Sequence, residues 1–242
     1  AQSRLSYYGI RPESYQHFWD QLGKQYFLRF EGQEIAWHTR LLLPHQKTDK
    51  TIVRARLSPA GDGIQTMIYT LDRDDLFAQI CGFFERAGFN IAEARIFTAN
   101  NGYALNSFII LDQNDRSVSY RDLLNYIEYE LSRQLTDQLP LAEPLQGRVS
   151  RQVKHMPITA SVNAVIDAGT GNHTFEVITN DRPGLLSRLA GTFLKHQVHL
   201  HNAKINTLGN RVEDSFVVSA KGNQPLDERS VDQLKQALLV QL

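Results

Sequence analysis

The run Asn180-Asp181-Arg182-Pro183-Gly184-Leu185-Leu186 holds residue types suited to receiving a small charged molecule, and it follows a β-rich run and opens a helix. Pro183 suits the first helical turn, whose unpaired N–H groups can bind a carboxylate, and Gly184 lets a ligand backbone come close. Asp181, or a side-chain carbonyl such as that of Asn202, could accept from an ammonium group. Asp181 could equally cap the helix amides, the commoner role for an aspartate at a helix start. Asp72-Arg73-Asp74 has the form of a metal-binding aspartate pair for phosphoryl transfer. Its counterpart in the repeat described next is Asp181-Arg182-Pro183, which argues for a turn role instead. His196, His199 and His201 form the densest histidine cluster, but no third metal ligand is evident, so they read as partly exposed strand residues. Cys81 falls in an apolar helix face and is expected to be buried and inert.

The elements that must position these residues come from an internal duplication. At an offset of 109 residues Val53 pairs with Val162, Thr70 with Thr179, Asp72 with Asp181, Phe84 with Phe193 and Thr98 with Thr207; after a one-residue gap Ser107-Phe108 meets Ser215-Phe216. Each copy reads as two strands, a helix, two strands and a helix. Thr51 to Ser58 and Ile64 to Thr70 flank the turn signal Pro59-Ala60-Gly61-Asp62-Gly63, and Ile158 to Ile166 and His173 to Thr179 repeat this hairpin. Leu76, Phe77, Ile80, Phe83, Phe84 and Ala87 recur at helical spacing, as do Leu185, Leu186, Leu189, Phe193 and Leu194. In the third strand Phe89 and Ile91 change phase to Ala94 and Ile96, and Val198 and Leu200 to Ala203 and Ile205, which predicts a β-bulge in both copies. Helices from about Ser119 to Leu139 and from about Leu226 to Leu242 close the units.

This order predicts an α+β fold of two ferredoxin-like modules, each a four-stranded antiparallel sheet with two helices on one face and with its extra edge strand placed first. The expected divisions are a helical segment over 1–45, a first module over 46–139, a linker over 140–157 and a second module over 158–242. The linker holds Arg148, Arg151, Lys154 and His155, read as a solvated basic run. Residues 1–45 suggest two short helices, one opening at Pro12 and one spanning about Glu31 to Leu43, joined by Tyr26-Phe27-Leu28. Phe18, Trp19, Phe27 and Trp37 need a surface to pack on, either the repeats or a domain outside this chain.

Composition narrows the function classes. The 242 residues carry 26 basic and 26 acidic side chains, a balance that argues against a nucleic-acid or membrane-surface binder. One cysteine excludes an intrachain disulfide and fits a reducing, cytoplasmic setting. No apolar run approaches the roughly 18 residues of a spanning helix. An RNA-recognition module shares the topology, but the central strands Phe108-Ile109-Ile110 and Phe216-Val217-Val218 lack its flanking glycine and basic residues. Beginning at Ala1 in a polar, aromatic-rich segment, the chain reads as a piece of something longer.

The segment Asn180 to Leu186 resembles the signature of ACT domains, small ferredoxin-like modules that bind amino acids and regulate attached enzymes. Arg211-Val212-Glu213-Asp214, the tandem arrangement, and Tyr26-Phe27-Leu28-Arg29 followed by Glu34-Ile35-Ala36-Trp37-His38-Thr39-Arg40 resemble the carboxy-terminal part of the bifunctional PII uridylyltransferase/uridylyl-removing family, over nearly the whole chain. The resemblance implies a regulatory region sensing glutamine, in a protein whose other domains attach uridylyl groups to the PII protein and remove them. It implies ligand binding at Asn180, Asp181, Pro183, Gly184, Leu185, Leu186 and Asn202, no catalytic residues in this chain, and magnesium for the missing catalytic domains alone. Neither a Gly-Ser motif followed by paired aspartates nor an adjacent His-Asp pair occurs. The first copy has Asp74-Asp75 where the second has Pro183-Gly184, which would repel a ligand carboxylate there. The modules are expected to associate edge to edge or through helices, within the chain or as a homodimer. The other reading is a stand-alone ACT-repeat amino-acid-binding protein, or the regulatory part of a different metabolic enzyme.

Overall fold

The computed structural model describes residues 1–46, 48–59, 61, 63–113, 119–141, 143–145 and 157–242. The four basic linker residues and two positions of the first hairpin turn, Ala60 and Asp62, lie outside them. Four helices come first: α1 (Gln2–Tyr7), α2 (Pro12–Leu22), α3 (Lys24–Arg29) and α4 (Gly32–Leu42). The first module follows as β1 (Ile52–Leu57), β2 (Ile64–Leu71), α5 (Leu76–Arg86), β3 (Phe89–Arg95), β4 (Tyr103–Asp112) and α6 (Tyr120–Thr136). The second repeats it as β5 (Ser161–Ile166), β6 (His173–Asn180), α7 (Leu185–Lys195), β7 (His199–Lys204), the short β8 (Thr207–Leu208), β9 (Arg211–Ser219) and α8 (Glu228–Val240).

Both hairpins form as the turn chemistry requires: β1 pairs antiparallel with β2 from Ile52↔Tyr69 to Leu57↔Ile64, and β5 with β6 from Ser161↔Ile178 to Ile166↔His173. The strand before each unit therefore fills the edge that a final strand would occupy. The third-strand bulges fall between Ile91 and Glu93 and between Leu200 and Asn202. Capping fixes the closing helices, for Ser119 accepts from the Asp122 N–H and Asp227 from the Ser230 N–H.

Edge-to-edge association is realised within the chain. The strands form one sheet in the order β1-β2-β4-β3-β7-β9-β6-β5, with β8 alongside β9. The two modules meet where β3 faces β7, and the ladder there has a single pair among the described residues, Arg95↔Lys204. On the helix-bearing face α5 packs against α7, and one apolar core runs through both modules from Phe84 and Phe108 to Phe193 and Phe216.

Residues 1–46 cover the other face of the first module. Leu5, Tyr15, Phe18, Trp19, Tyr26 and Trp37 form a second core with Met67, Tyr69, Leu105 and Phe97, so the aromatic residues find their partner on the repeat itself. Burial on both faces explains why β2 is buried at every position from Ile64 to Thr70, whereas β6 alternates. The sequence reading found α2 and α4 but missed α1 and α3; α3 occupies the stretch read as a connection. Polar groups fix the orientation of this layer. The buried Glu34 carboxylate accepts from Ser107, Gln65 and Arg95, the last two at 2.8 Å, and Trp19 donates to Thr39 at 2.8 Å. His38 bonds Tyr26 at 2.8 Å, and complete burial pushes its pKa down to about 3, so the ring is neutral. The Arg29 guanidinium donates to the Ile96 carbonyl of the first module at 3.1 Å and to the His201 carbonyl of the second at 3.3 Å.

Candidate functional site

The Asp-Arg turn that precedes the first helix of each module is a structural device in both copies. Asp72 accepts from its neighbour's N–H at 2.9 Å and from the Thr98 hydroxyl at 2.6 Å, while Arg73 donates to the Leu135 carbonyl at the end of α6 at 3.0 Å. Arg182 makes the same connection to the Gln241 carbonyl after α8. A cation at the carboxyl end of a helix satisfies a carbonyl left without an intrahelical partner and meets the negative pole of the helix dipole. The turn role inferred from duplication thus has a specific form, a staple from the loop to the closing helix.

The start of α7 differs from that of α5. Gly184 stands at its N-cap with φ 76° where α5 has Asp75, and, as at α5, no side chain caps the helix, Asp181 included. A Cβ on Gly184 would collide with the backbone carbonyl of Leu145 and lie 2.8 Å from the Glu85 carboxylate, so glycine is required by space as well as by backbone. Beside this start a cleft of about 390 Å³ opens at the seam between the modules. The second module lines it with Asp181 to Ser187, Ile205, Thr207, Val212 and Asp214, the first with Cys81, Glu85, Phe89 and Ile91, and the linker with Leu145. Leu145 is tied across the seam: its N–H donates to Glu85 at 2.8 Å, and its carbonyl accepts from Arg188 at 3.4 Å.

The cleft is charged at both signs and incompletely bonded. Two buried polar atoms on its wall, Ser187 Oγ and Arg182 Nε, have no hydrogen-bond partner among the described residues. Such atoms cost free energy unless something meets them. Burial pushes the Asp181 carboxyl up from its ordinary range, although the Arg182 N–H bond opposes this. Asp214 is pushed up to about 7, first by burial and then by the nearby Asp181 charge, against a hydrogen bond from the Asn206 N–H. Cys81 is buried and its thiol is raised well above the ordinary value, chiefly by desolvation.

Of the residues picked from sequence, Asp181, Pro183, Gly184, Leu185 and Leu186 come together on the cleft wall. Asn180 and Asn202 are not on it. The Asn180 carboxamide accepts from the Ile158 N–H at 2.7 Å and so holds the start of the second module, and Asn202 sits on β7 opposite Val217. Sequence reasoning missed Ser187 and Asp214 and the whole contribution of the first module. The Asp214 signal was available, because the repeat aligns it with Asn106. Asp74 and Asp75 do not stand as bare charges: Asp75 pairs with Arg73 at 2.9 Å and Asp74 with Lys221 of the second module at 3.1 Å. His201 bonds Ser219 at 2.8 Å, and no group of three or more potential ligands is placed to hold a metal among the described residues.

Two ferredoxin-like units, each with a helix opening directly after a central strand and joined edge to edge in one sheet, define the chain as a tandem pair of ferredoxin-like modules behind a helical layer. Residues 1–41 match the family described as "Uridylyltransferase GlnD fifth domain". The chain is 41% identical over 230 residues to a bifunctional uridylyltransferase/uridylyl-removing enzyme of Thiobacillus denitrificans, a match covering 95% of this chain and 27% of that protein. It is 45% identical over 213 residues to the enzyme of the same name from Burkholderia thailandensis, covering 88% of this chain and 25% of that protein. The chain therefore spans about a quarter of the length of the curated relatives it matches, and it corresponds to the carboxy-terminal, regulatory part of this enzyme family. No helix among the described residues is long and apolar enough to cross a membrane.

Proposed function

We propose that this region senses glutamine in the cleft between its two modules and thereby controls a larger cytoplasmic enzyme that adds uridylyl groups to the PII protein and removes them. The observation that supports this reading most is the cleft itself: five residues chosen from the sequence line it, and two buried polar atoms there await a partner. A free amino acid supplies a carboxylate for the uncapped start of α7 and an ammonium group for the acidic side chains. Magnesium belongs to the catalytic domains outside this chain. The reading includes a homodimer, for among the described residues β5 ends the sheet with one neighbouring strand and exposes Val165 and Ile166.

Calorimetry of the folded chain with millimolar glutamine, with glutamate and alanine as controls, tests the reading. Glutamine should release or absorb heat, and Ser187→Ala should weaken its binding about 5-fold or more, the loss expected for one hydrogen bond of about 1 kcal/mol. No heat from any of the three would overturn it. Gly184→Asp is a poor probe, since φ 76° strains any side chain there with or without ligand. Incubated with PII, UTP and magnesium, the chain alone should leave the mass of PII unchanged.

A further inference from the structure

Asp214 is a buried acid in a position that needs no acid. Its Oδ1 accepts from the Asn206 N–H at 3.1 Å, and the equivalent Asn106 of the first module accepts from the Phe97 N–H at 3.2 Å. An amide therefore completes the same backbone bond, and the charge of Asp214 adds a desolvation cost with no structural return. The extra charge occurs only in the module whose helix start borders the cleft. The neighbouring aspartates differ in the same sense. In the first module Asp72 is satisfied by Thr98, whereas Thr207, which replaces Thr98, lines the cleft and is not bonded to Asp181 among the described residues. Among the described residues neither Asp181 nor Asp214 forms an ion pair there.

The groups of the cleft are sorted by sign. Asp181 and Asp214 are close enough to repel one another, and Asp214 also acts on Cys81 across the seam. At the start of α7 lie Arg182 Nε and the orphaned hydroxyl of Ser187, a residue only 8% exposed. These donors suit a carboxylate, and the two acids suit a cation with several N–H donors.

We propose that Asp214, with Asp181, is the seat of the ligand's protonated amine, so that the cleft admits molecules with a free α-ammonium group and rejects their deaminated or N-acylated analogues. This rests on the amino-acid reading given above. A buried carboxylate that gains an ammonium partner is stabilised in its charged form, and an analogue without that group leaves the carboxylate uncompensated. Asp214 sets specificity by direct contact, whereas the first module, with Asn106 in its place, has no such seat.

Calorimetry with glutamine, N-acetylglutamine and the 2-oxo analogue of glutamine separates the possibilities, using the full chain and its Asp214→Asn and Asp181→Asn variants. The wild type should bind glutamine at least 10-fold more tightly than either analogue, and both variants should lose at least 10-fold in glutamine affinity while narrowing that preference. Asp214→Asn should fold, because Asn106 already serves in the same position, and circular dichroism would verify this. An unchanged glutamine affinity in folded Asp214→Asn, or equal binding of N-acetylglutamine by the wild type, overturns the assignment while leaving the amino-acid reading intact. No binding of any amino acid by the wild type overturns both.

Discussion

The two helix starts are built from the same repeat and reach opposite ends. At α5 the chain's own side chains fill the space: Thr98 satisfies Asp72, Arg73 pairs with Asp75, and Gln79 donates to the Leu139 carbonyl at 2.7 Å while meeting Gln134. At α7 the residues aligned with Asp74, Asp75 and Gln79 are Pro183, Gly184 and Arg188, and a cleft remains. Backbone topology, bulge position and Arg staple are shared. A handful of side chains therefore decides whether the space beside a helix start is filled by the fold or left as a cleft. Duplication makes this possible, because one copy keeps the packed version while the other diverges.

The comparison can be strained first in the core, where the copies should behave alike. Phe108 and Phe216 are both fully buried at equivalent positions, so Phe108→Ala and Phe216→Ala should each cost about 3–5 kcal/mol in urea denaturation. A large cost for one alone would show that the modules do not share a core. The next effect should separate the copies. Because Asp214 is raised to about 7 in the fold from an ordinary 3.8, the folded state holds its proton over a range where the unfolded chain has lost it. Stability should fall as pH climbs from about 4 to 7, by on the order of 2–4 kcal/mol, then level off. Comparison of Asp214→Asn with wild type by thermal unfolding across that range should isolate this slope, which the variant lacks. Glutamine at saturating concentration should reduce it.

Asp72→Asn should destabilise by about 1.5–3 kcal/mol through the weakened charge-assisted bond to Thr98, whereas Asp181→Asn should cost little stability and act on glutamine affinity instead; denaturation and calorimetry on the two variants report both halves. The smallest effect should again be symmetric. Arg73→Ala and Arg182→Ala each remove one staple to a closing helix and should lower stability by about 1 kcal/mol, readable as faster amide exchange in the last turns of α6 and α8.

Fold was far more legible in the sequence than site. Alternating apolar residues and turn signals specify the hairpins locally, and the phase change at Ala92 and His201 marked both bulges, since a period of two cannot absorb an extra residue unnoticed. α1 and α3 were missed because each has six residues, too few for a periodic face to emerge. The Asn180 to Leu186 loop was legible as a helix start, but its partners across the seam were not. Glu85, Phe89 and Leu145 reach it through tertiary packing that no local pattern encodes. Asn202 looked suitable by chemistry alone, and the strand register turned it elsewhere.

Arg29 carries a consequence for the order of assembly. Its two acceptors lie 67 and 172 residues further along the chain. At synthesis rates of about 5–20 residues per second, roughly 10–30 s separate the emergence of Arg29 from that of His201. During that interval the aromatic layer can already settle on the first module, whose strands are complete by Asp112. The guanidinium must wait, held by the Ile96 carbonyl and the Phe97 ring 5.5 Å away. Closure of the seam through Arg29 thus cannot precede the emergence of His201, long after the helical layer and the first module are complete.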